Sequence, residues 1–340
     1  MDNRPHVSFA LSDRSYVSLI KKEIKKIAGN IGFSGNRLAE IEIIIAEITS
    51  NIIKYSIDGS ILVKHFVKGT AEGIEIISID NGPGMTNVSL MVKDGVSTTR
   101  TLGQGLGAIK RLSDNFDIYS VPQWGTILLS RVFKNPEANT TSKEIFNITT
   151  LLVPKKGENY CGDGYRYVIK KNSCKILAFD GLGHGPEAQK ASEAAIKSFM
   201  STLNIDPGES LRVMNKEIKS TRGGVGMIFS IDLKTNSTSF CGVGNISARI
   251  LSEGKLKNCI SYNGIIGHTF PNSLHTNNTP WNKQDYLILT SDGLKTRWDS
   301  SNLTHVLKHD PSIVAASLFK DLSRGNDDSL VIILKCNIKN

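Results

Sequence analysis

Five aspartates in the C-terminal half of this 340-residue sequence stand at the ends of strand-like runs, beside a glycine or another aspartate. They are Asp163 in CGDGYRYV, Asp180 in ILAFDGLGHGPEA, Asp292 in LILTSDGLK, and Asp327 and Asp328 in GNDDSLVIIL. Any one of them could be an ordinary turn residue, because aspartate and glycine both favour tight turns. Several together exceed what turn formation explains, and oxygen ligands of this kind suit Mg²⁺ or Mn²⁺. Two such ions can share a carboxylate and lower the pKa of a water molecule, which is the chemistry of phosphomonoester hydrolysis without a protein nucleophile.

The N-terminal part carries a second group of polar residues, on a predicted helix and at a predicted strand end. In AEITSNIIKYS, Glu47 and Asn51 stand four residues apart and therefore share one helix face, among apolar neighbours. Taken alone, Glu47 could be a partly exposed surface residue. In SIDNGPGM, Asp80 ends a strand-like run and is followed by Gly82 and Gly84. A buried aspartate there can accept a hydrogen bond from an exocyclic amine, and the glycines let the backbone approach a purine ring.

A glycine-rich turn, GQGLGA at residues 103–108, opens a short helical pattern. Free N–H groups and the helix dipole at such a helix start favour phosphate. The same letters match the dinucleotide pattern G-x-G-x-x-A, but that fingerprint directly follows a strand, and here the polar DGVSTTRT precedes it. The turn therefore indicates a phosphate site outside a dinucleotide-binding fold.

The elements that must position these residues form two different patterns, and together they predict an α+β protein. In the first, helical periods at about 15–29 and 36–56 precede the strand-like runs. This order favours an α/β sandwich, with helices on one face of a mixed sheet, over alternating β-α-β units. The strands of this sheet are predicted at 61–67, 74–80, 117–121 and 125–133.

The second pattern predicts a β-sandwich flanked by helices, because many strands surround a clustered pair of helices. Its strands are predicted near 145–153, 165–170, 175–179, 226–233, 237–242, 246–251, 285–291 and 329–335, and its helices near 186–203, 208–220 and 311–323. A polar segment that contains Pro136 separates the two patterns. We therefore expect domains at 1–134 and 145–340, joined by a linker at 135–144.

The charge, the apolar runs and the cysteines of the sequence indicate which partners and which cellular compartment to expect. The formal net charge of +9 is spread along the chain, apart from KKEIKK at 21–26, which alternates with apolar residues like the solvated face of a helix. Nucleic acid is therefore not an expected partner. No apolar run approaches the roughly 18 residues of a membrane helix, and the start has no signal-peptide pattern, so no membrane partner is expected. Five cysteines without CxxC spacing favour the reducing cytoplasm over a disulfide framework or a zinc site.

Over about residues 10–133, the order of the N-terminal motifs resembles the GHKL ATPase superfamily, and most closely its small bacterial switch kinases, the anti-sigma and Rsb-type serine kinases. The resemblance implies ATP with Mg²⁺ as the cofactor. Asn51 would help hold Mg²⁺, Asp80 would read adenine with support from Thr126 in WGTIL, and Glu47 would be the general base that accepts the substrate hydroxyl proton. The nucleotide-binding set that the resemblance implies is Asn51, Asp80, Gly82, Gly84, Gly103, Gly105, Gly107 and Thr126.

Over about residues 145–336, the motifs G-D, D-G-L-G-H-G, S-D-G and N-D-D-S resemble the PPM-type (type 2C) serine/threonine phosphatases, specifically the bacterial sporulation and stress-response branch. The metal-binding set that this resemblance implies is Asp163, Asp180, Gly181, Asp292 and Asp327. Asp180 would bridge two Mg²⁺ or Mn²⁺ ions, with Asp163 and the Gly181 carbonyl on one ion and the other two aspartates on the second. His184 could be a proton donor, but it lies two residues beyond the usual catalytic histidine and could equally be structural.

Two features depart from the phosphatase pattern. Arg166 stands where many relatives have a second acidic residue. The final motif can be aligned in two registers, because matching Ser329 to the family's hydroxyl residue would put Asn326 at the ligand position. We prefer Asp327, since an anionic ligand binds a cation better, with Asp328 as the fallback.

The two resemblances together predict a cytoplasmic partner-switching regulator of bacteria. A metal-dependent phosphoserine/phosphothreonine phosphatase would be fused to an ATP-binding serine kinase domain, and both would act on an anti-sigma-factor antagonist (STAS) or stressosome protein. An alternative makes the GHKL domain a nucleotide sensor or docking module that transfers no phosphate. A third alternative, two inactive domains in a scaffold, is disfavoured by the nearly complete ligand sets.

Overall fold

Contacts between residues divide the chain into two units. The computed structural model describes residues 4–68, 71–92, 105–136, 145–297 and 303–337. The first unit comprises residues 1–142 with 305–317, and the second comprises residues 143–304 with 318–340. No helix among the described residues is both long and apolar enough to cross a membrane.

The first unit is built on a five-stranded sheet. Its strands are β1 (Val7–Leu11), β2 (Gly59–Lys68), β3 (Ala71–Asp80), β4 (Asn115–Val121) and β5 (Gly125–Phe133). Its helices are α1 (Val17–Ile31), α2 (Gly35–Tyr55), the short α3 (Val88–Met91) and α4 (Gly105–Leu112).

The strand order of this sheet is β1-β2-β3-β5-β4, and all four neighbouring pairs are antiparallel. The prediction of a mixed sheet is therefore wrong in this detail. The reason is that β2 with β3, and β4 with β5, are hairpins of consecutive strands, and β5 rather than β4 returns beside β3. No two parallel strands become neighbours as a result.

Apolar residues at helical spacing on α2 form the centre of the first core. The buried set on this helix is Ile41, Ile44, Ile45, Ile48 and Ile52. They pack with alternate residues of β2 and β3, which are Ile61, Val63, Ile74 and Ile76. Alternate strand residues point to one face of a sheet, so this pattern places α2 over that face, where its polar residues can reach the strand ends.

The second unit is a sandwich of two five-stranded antiparallel sheets. The strands of one sheet, in spatial order, are β13 (Asn277–Pro280), β10 (Ser237–Val243), β9 (Gly224–Asp232), β8 (Ser173–Gly181) and β7 (Asp163–Lys170). Those of the other are β12 (Lys255–Cys259), β11 (Ser247–Ser252), β14 (Tyr286–Thr290), β15 (Ser329–Cys336) and β6 (Phe146–Val153). The remaining helices of the chain are α5 (Pro186–Ser201), α6 (Pro207–Glu217), α7 (Leu303–Val306) and α8 (Pro311–Leu322).

Alternate side chains of β8 point to opposite faces of its sheet, which lies between the other sheet and two helices. Ile176 and Ala178 belong to the core between the two sheets, whereas Leu177 and Phe179 belong to a second core with residues of α5 and α6. A strand buried on both faces is held firmly in register, which fixes the position of Asp180 at its end. The predicted sandwich with flanking helices is confirmed.

Residues 305–317 belong to the first unit through a cluster of charged groups. Arg131 on β5 donates from Nη1 and Nη2 to the carboxylate of Asp310, at 2.8 and 2.9 Å, and from Nε to Oε2 of Glu75 at 2.6 Å. The hydroxyl of Ser312 donates to the same Glu75 oxygen at 3.0 Å. Burial would raise the pKa of Glu75, but the charges and hydrogen bonds of Arg131 and His6 together outweigh burial and lower that pKa. The guanidinium therefore holds two carboxylates in their charged form.

Candidate functional site

The two sheets of the second unit deliver aspartates to one end of the sandwich. Asp163 begins β7 and lies opposite Asp180, near the end of β8, in the antiparallel register. Asp292 follows β14, and Asp327 precedes β15, its antiparallel neighbour. Because the end of one antiparallel strand meets the start of the next, each sheet brings two carboxylates to the same edge.

A cavity of about 330 Å³ lies at this edge. Its lining residues are Asp180, Leu182, Gly183, Val225, Gly244, Asn245, Asn263, Gly264, Asp292 and Asp327. Among these residues there is no lysine, arginine or histidine to balance the aspartates, and no serine, threonine or cysteine to act as a nucleophile. The cavity is therefore acidic and has no obvious covalent chemistry of its own.

The carboxylates in and behind the cavity repel one another. Asp163 is only 3% exposed, and the Ser291 hydroxyl donates to its Oδ2 at 2.6 Å. Burial, followed by the charges of Asp328, Asp292 and Asp327, raises the pKa of Asp163 well above its usual value. Burial and the neighbouring aspartates, Asp163 first, do the same to the pKa of Asp180. A site of this kind stabilises either protons or cations.

The donor set fits divalent cations that keep part of their water. Among the described residues, no three His, Cys, Asp or Glu side chains stand close enough to hold one ion between them. Mg²⁺ commonly binds one or two carboxylates and keeps several waters. Each of two ions is therefore expected to have fewer than three side-chain ligands from the protein. At Gly181 the backbone packs closely against α5, since a Cβ there would lie 2.4 Å from the carbonyl oxygen of Ala188. Only glycine allows this close approach.

The two adjacent aspartates before β15 have different surroundings. Asp327 lines the cavity. Asp328 is buried, and its two oxygens accept hydrogen bonds from the backbone N–H groups of Lys155 and Gly162, both at 2.7 Å. Asn326, the residue of the alternative register, is exposed. The environment of Asp328 is that of a residue that ties a loop to the sheet.

His184 and Arg166 stand apart from the cavity wall. His184 is exposed, and its Nδ1 lies 2.8 Å from Oε1 of Glu158. Arg166 lies opposite Leu177 in the β7–β8 register, and Leu177 faces the helices. This arrangement suits a structural role for His184, and it keeps the charge of Arg166 on the sheet face away from the sandwich core.

Two asparagines line the cavity that sequence reasoning did not single out. Nδ2 of Asn245 donates to Oδ2 of Asp292 at 3.0 Å, and Asn263 forms another part of the wall. The signal for both was present in the segments GVGNISARI and SYNGIIG, where asparagine adjoins glycine after a strand. That is the same context that singled out the aspartates.

In the first unit, the structure brings together the helical residues and the glycine turn. Glu47 and Asn51 lie on α2, and α4 begins at Gly105. A Cβ added to Gly105 would lie 2.7 Å from Oε2 of Glu47 and 3.7 Å from Oδ1 of Asn51. The start of α4 therefore faces both polar side chains, and Gly107, one of the predicted glycines, is buried on the same helix. Gly103 lies outside the described residues.

Asp80 lies at the end of β3, directly opposite Thr126 on β5. Its Oδ1 accepts hydrogen bonds from the backbone N–H groups of Gly82, at 2.8 Å, and Thr126, at 3.2 Å. Gly84 has a φ of +69°, and a Cβ there would lie 2.0 Å from the carbonyl oxygen of Val121. The chain after Asp80 thus packs so closely that glycine is required, and a carboxylate is held at the sheet end beside it.

Known proteins match the two units separately. Residues 10–131 match the family described as the histidine kinase-like ATPase domain, and residues 170–337 match the family of stage II sporulation protein E (SpoIIE). Over 102 residues the chain is 35% identical to the serine/threonine-protein kinase RsbT of Bacillus subtilis (strain 168), which covers 30% of this chain and 77% of RsbT. Over 142 residues it is 27% identical to the phosphoserine phosphatase RsbX of the same organism, covering 41% of this chain and 70% of RsbX.

A solved structure has the fold of the second unit. RsbX in complex with magnesium superimposes with a TM-score of 0.52 at 22% sequence identity, over 57% of this chain and 96% of that one. At this identity the likeness establishes a common fold.

The sheet, the cavity and these relatives define a two-domain protein of the bacterial Rsb partner-switching type. The chain belongs to the histidine kinase-like ATPases through an N-terminal RsbT-like kinase domain, and it carries a C-terminal PP2C-type domain that is similar to SpoIIE and RsbX. Both predicted resemblances are confirmed.

Proposed function

We propose that the second unit hydrolyses phosphoserine or phosphothreonine in a protein, with two Mg²⁺ or Mn²⁺ ions as its cofactor. The observation that carries this proposal is the acidic cavity, where aspartates from two sheets converge. Asp163, Asp180 and the Gly181 carbonyl would hold one ion, and Asp292 and Asp327 the other, with Asp180 shared. The domains would span 1–134 and 145–340, with a linker at 135–144.

The residues of the chain supply orientation rather than a nucleophile. Bound divalent cations supply the Lewis acidity that lowers the pKa of water and neutralises phosphate oxygens. The Ser291 hydroxyl holds Asp163, at 2.6 Å, and the Asn245 amide holds Asp292, at 3.0 Å. Such contacts fix the direction of a ligand's lone pairs before the ion arrives.

An aryl phosphate assay on the full chain tests this assignment. We expect activity with Mn²⁺, none in EDTA, and a loss of about a hundredfold or more in Asp180→Asn, because the shared negative charge is gone. Glu253→Gln is the control, since Glu253 is an exposed acidic residue in the turn after β11. Activity that survives EDTA or the Asp180 substitution would contradict a two-metal centre.

We further propose that the first unit binds ATP with Mg²⁺ and transfers its terminal phosphoryl group to a serine of a partner. Glu47 would accept the serine proton, Asn51 would help hold Mg²⁺, and Asp80 would read adenine with Thr126 beside it. The support is the approach of Gly105 to both Glu47 and Asn51, since a helix start beside a carboxylate and an amide can hold phosphate and metal together. Gly82, Gly84, Gly103 and Gly107 would complete the nucleotide-binding set.

The proposed partner is a STAS-type anti-sigma-factor antagonist or a stressosome protein, phosphorylated by one unit and dephosphorylated by the other. The support is that one relative is a serine/threonine-protein kinase and the other a phosphoserine phosphatase. We place the protein in the cytoplasm, because all five cysteines are free thiols. A first unit that binds ATP but never labels a partner would instead be a nucleotide sensor.

A further inference from the structure

The rim of the acidic cavity is formed where two glycine-containing loops are joined. The loop after β8 includes Leu182 and Gly183, which both line the cavity. The backbone N–H of Leu182 donates to the carbonyl of Gly223 at 3.1 Å, so the second loop, before β9, is tied to the first. Both Gly183 and Gly223 have a positive φ, of 85° and 67°, which fixes tight turns at the junction.

Arg222 projects from this junction toward the cavity rim. A Cβ added to Gly183 would lie 3.0 Å from Nη1 of Arg222, so the guanidinium lies against a residue of the cavity wall. Its backbone is held on both sides: the carbonyl of Arg222 accepts a hydrogen bond from Nε2 of His268 at 2.9 Å, and the next N–H donates to Oγ1 of Thr221 at 3.0 Å. The base of the side chain is therefore fixed while its tip is exposed.

The guanidinium of Arg222 has no carboxylate bound to it among the described residues. Arg222 acts electrostatically on Glu187 in the first turn of α5, but the carboxylate of Glu187 accepts a hydrogen bond from Lys190 at 2.6 Å. The lining of the cavity contains carboxylates and amides but no cation of the protein. Arg222 is thus a positive group at the rim of a site that must receive a phosphate dianion.

We propose that Arg222 binds the phosphate group of the phosphoserine substrate and positions it at the metal centre, an inference that rests on the proposed phosphatase function. A guanidinium donates two parallel hydrogen bonds to phosphate oxygens and stays charged at any physiological pH. Gly183 suits this arrangement, because a Cβ there would lie 3.0 Å from Nη1 of Arg222 and would press against the guanidinium. Arg222 would distinguish a phosphate monoester from a neutral or singly charged group at the cavity mouth.

Binding of inorganic phosphate to the full chain in saturating Mn²⁺, measured by titration calorimetry, tests the proposal. We expect Arg222→Gln to raise the dissociation constant of phosphate by about tenfold or more, as the loss of a charge-assisted hydrogen bond predicts. Arg222→Lys keeps the charge and should recover part of the affinity. Lys197→Gln, which removes one exposed positive charge from α5, should leave the affinity within about twofold of wild type.

Three results would overturn the role of Arg222. They are unchanged phosphate affinity in Arg222→Gln, an equal loss in Lys197→Gln, and a parallel loss of Mn²⁺ affinity measured without phosphate. The last would mean that Arg222 acts through the structure of the metal site. If the wild-type protein hydrolyses an aryl phosphate while Arg222→Gln binds phosphate normally, the role of Arg222 is wrong but the proposed phosphatase function stands. If the wild type neither binds phosphate nor hydrolyses the ester, the proposed phosphatase function fails first.

Discussion

Asp163 is buried beside one hydroxyl group and a set of other carboxylates, with no cation of the protein among the residues that line the adjoining cavity. Its pKa is raised by burial and by the neighbouring aspartates. The folded protein therefore holds a proton at Asp163 at pH values where the unfolded chain has already lost it. It follows that the metal-free protein loses stability as the pH rises above the ordinary value of 3.8.

We expect Asp163→Asn to stabilise the metal-free protein by on the order of 1 kcal/mol, because one repelling charge is removed. Urea unfolding in EDTA, at about pH 5 and about pH 8, should show that this advantage grows with pH. The same variant should lose most of the stabilisation that Mn²⁺ gives the wild type, because ligand binding to the folded state is the source of that gain. A variant that is less stable without metal and gains as much from Mn²⁺ as the wild type would contradict the metal site.

In the proposed nucleotide site, substitution of Asp80 should separate base recognition from phosphate binding. Its Oδ1 is held by two backbone N–H groups, so the carboxylate has a fixed direction. Asparagine would have to place its amide NH₂ either at those donors or at the adenine amine. We expect Asp80→Asn to weaken ATP binding by roughly tenfold to a hundredfold, measured by calorimetry with Mg²⁺. Binding of inorganic triphosphate, which has no base, serves as the control and should change little; equal ATP affinity in the two proteins would refute the adenine site.

At the scale of elements, the cluster around Arg131 joins β3, β5 and the start of α8 within the first unit. Burial would raise the pKa of both Glu75 and Asp310, but other contributions outweigh it and lower both pKa values. The largest of these is the charge of Arg131, which acts together with hydrogen bonds and, at Glu75, with His6. Groups with a lowered pKa contribute stability above their unfolded values of 4.5 and 3.8, and this contribution is lost as the pH falls through the folded values. The cluster should therefore matter most near neutral pH.

We expect Arg131→Met to destabilise the first unit by about 3 kcal/mol near neutral pH, because two partly buried carboxylates lose their partner. Urea unfolding measures the loss, and the deficit should shrink as the pH falls, when the carboxylates become protonated. Adding Glu75→Gln should restore part of the stability by removing one unpaired charge. An Arg131→Met protein with wild-type stability, or a deficit that does not depend on pH, would show that the cluster contributes nothing.

Every strand of the described residues with a neighbour on both sides was predicted, and so were three edge strands, β4, β6 and β7. Strands such as β8 and β15 are buried on both faces, so their apolar runs are long and clear. Three strands were not predicted, β1, β12 and β13, and each lies at the edge of its sheet. An edge strand is paired on one side only, and the polar sequences KLKNC and NNTP have no apolar alternation to reveal it. The antiparallel direction of the strands in the first unit was not predicted, because a local sequence pattern does not indicate which strands become neighbours in the sheet.

At the scale of the whole molecule, the aspartates of the cavity come from positions between 163 and 327, and only the pairing of strands within each sheet brings them to one edge. These aspartates could be predicted because each stands beside a glycine or another aspartate at the end of a strand-like run, a pattern that is visible in the local sequence. Arg222 leaves no comparable mark in the sequence, since it acquires its position from a contact with a distant loop.

A single chain that carries a kinase-like and a phosphatase-like domain has a physical rationale if the two act oppositely on one hydroxyl group. Phosphoryl transfer from ATP consumes a serine hydroxyl, and hydrolysis of the phosphoserine returns it. In the proposed assignment Glu47 belongs to the first site and Asp292 to the second, so each can be changed without altering the residues of the other.

The most direct measurement of this central claim follows labelled phosphate from ATP onto a STAS-type partner protein in the presence of the full chain. In Glu47→Ala no label should appear on the partner, because no carboxylate remains to accept the serine proton. In Asp292→Asn label should accumulate above the wild-type level, because hydrolysis is lost while the nucleotide site is intact. If neither variant changes the phosphorylation of the partner, while ATP still alters the phosphatase rate, the first unit is a nucleotide sensor and the account of two opposing activities is wrong.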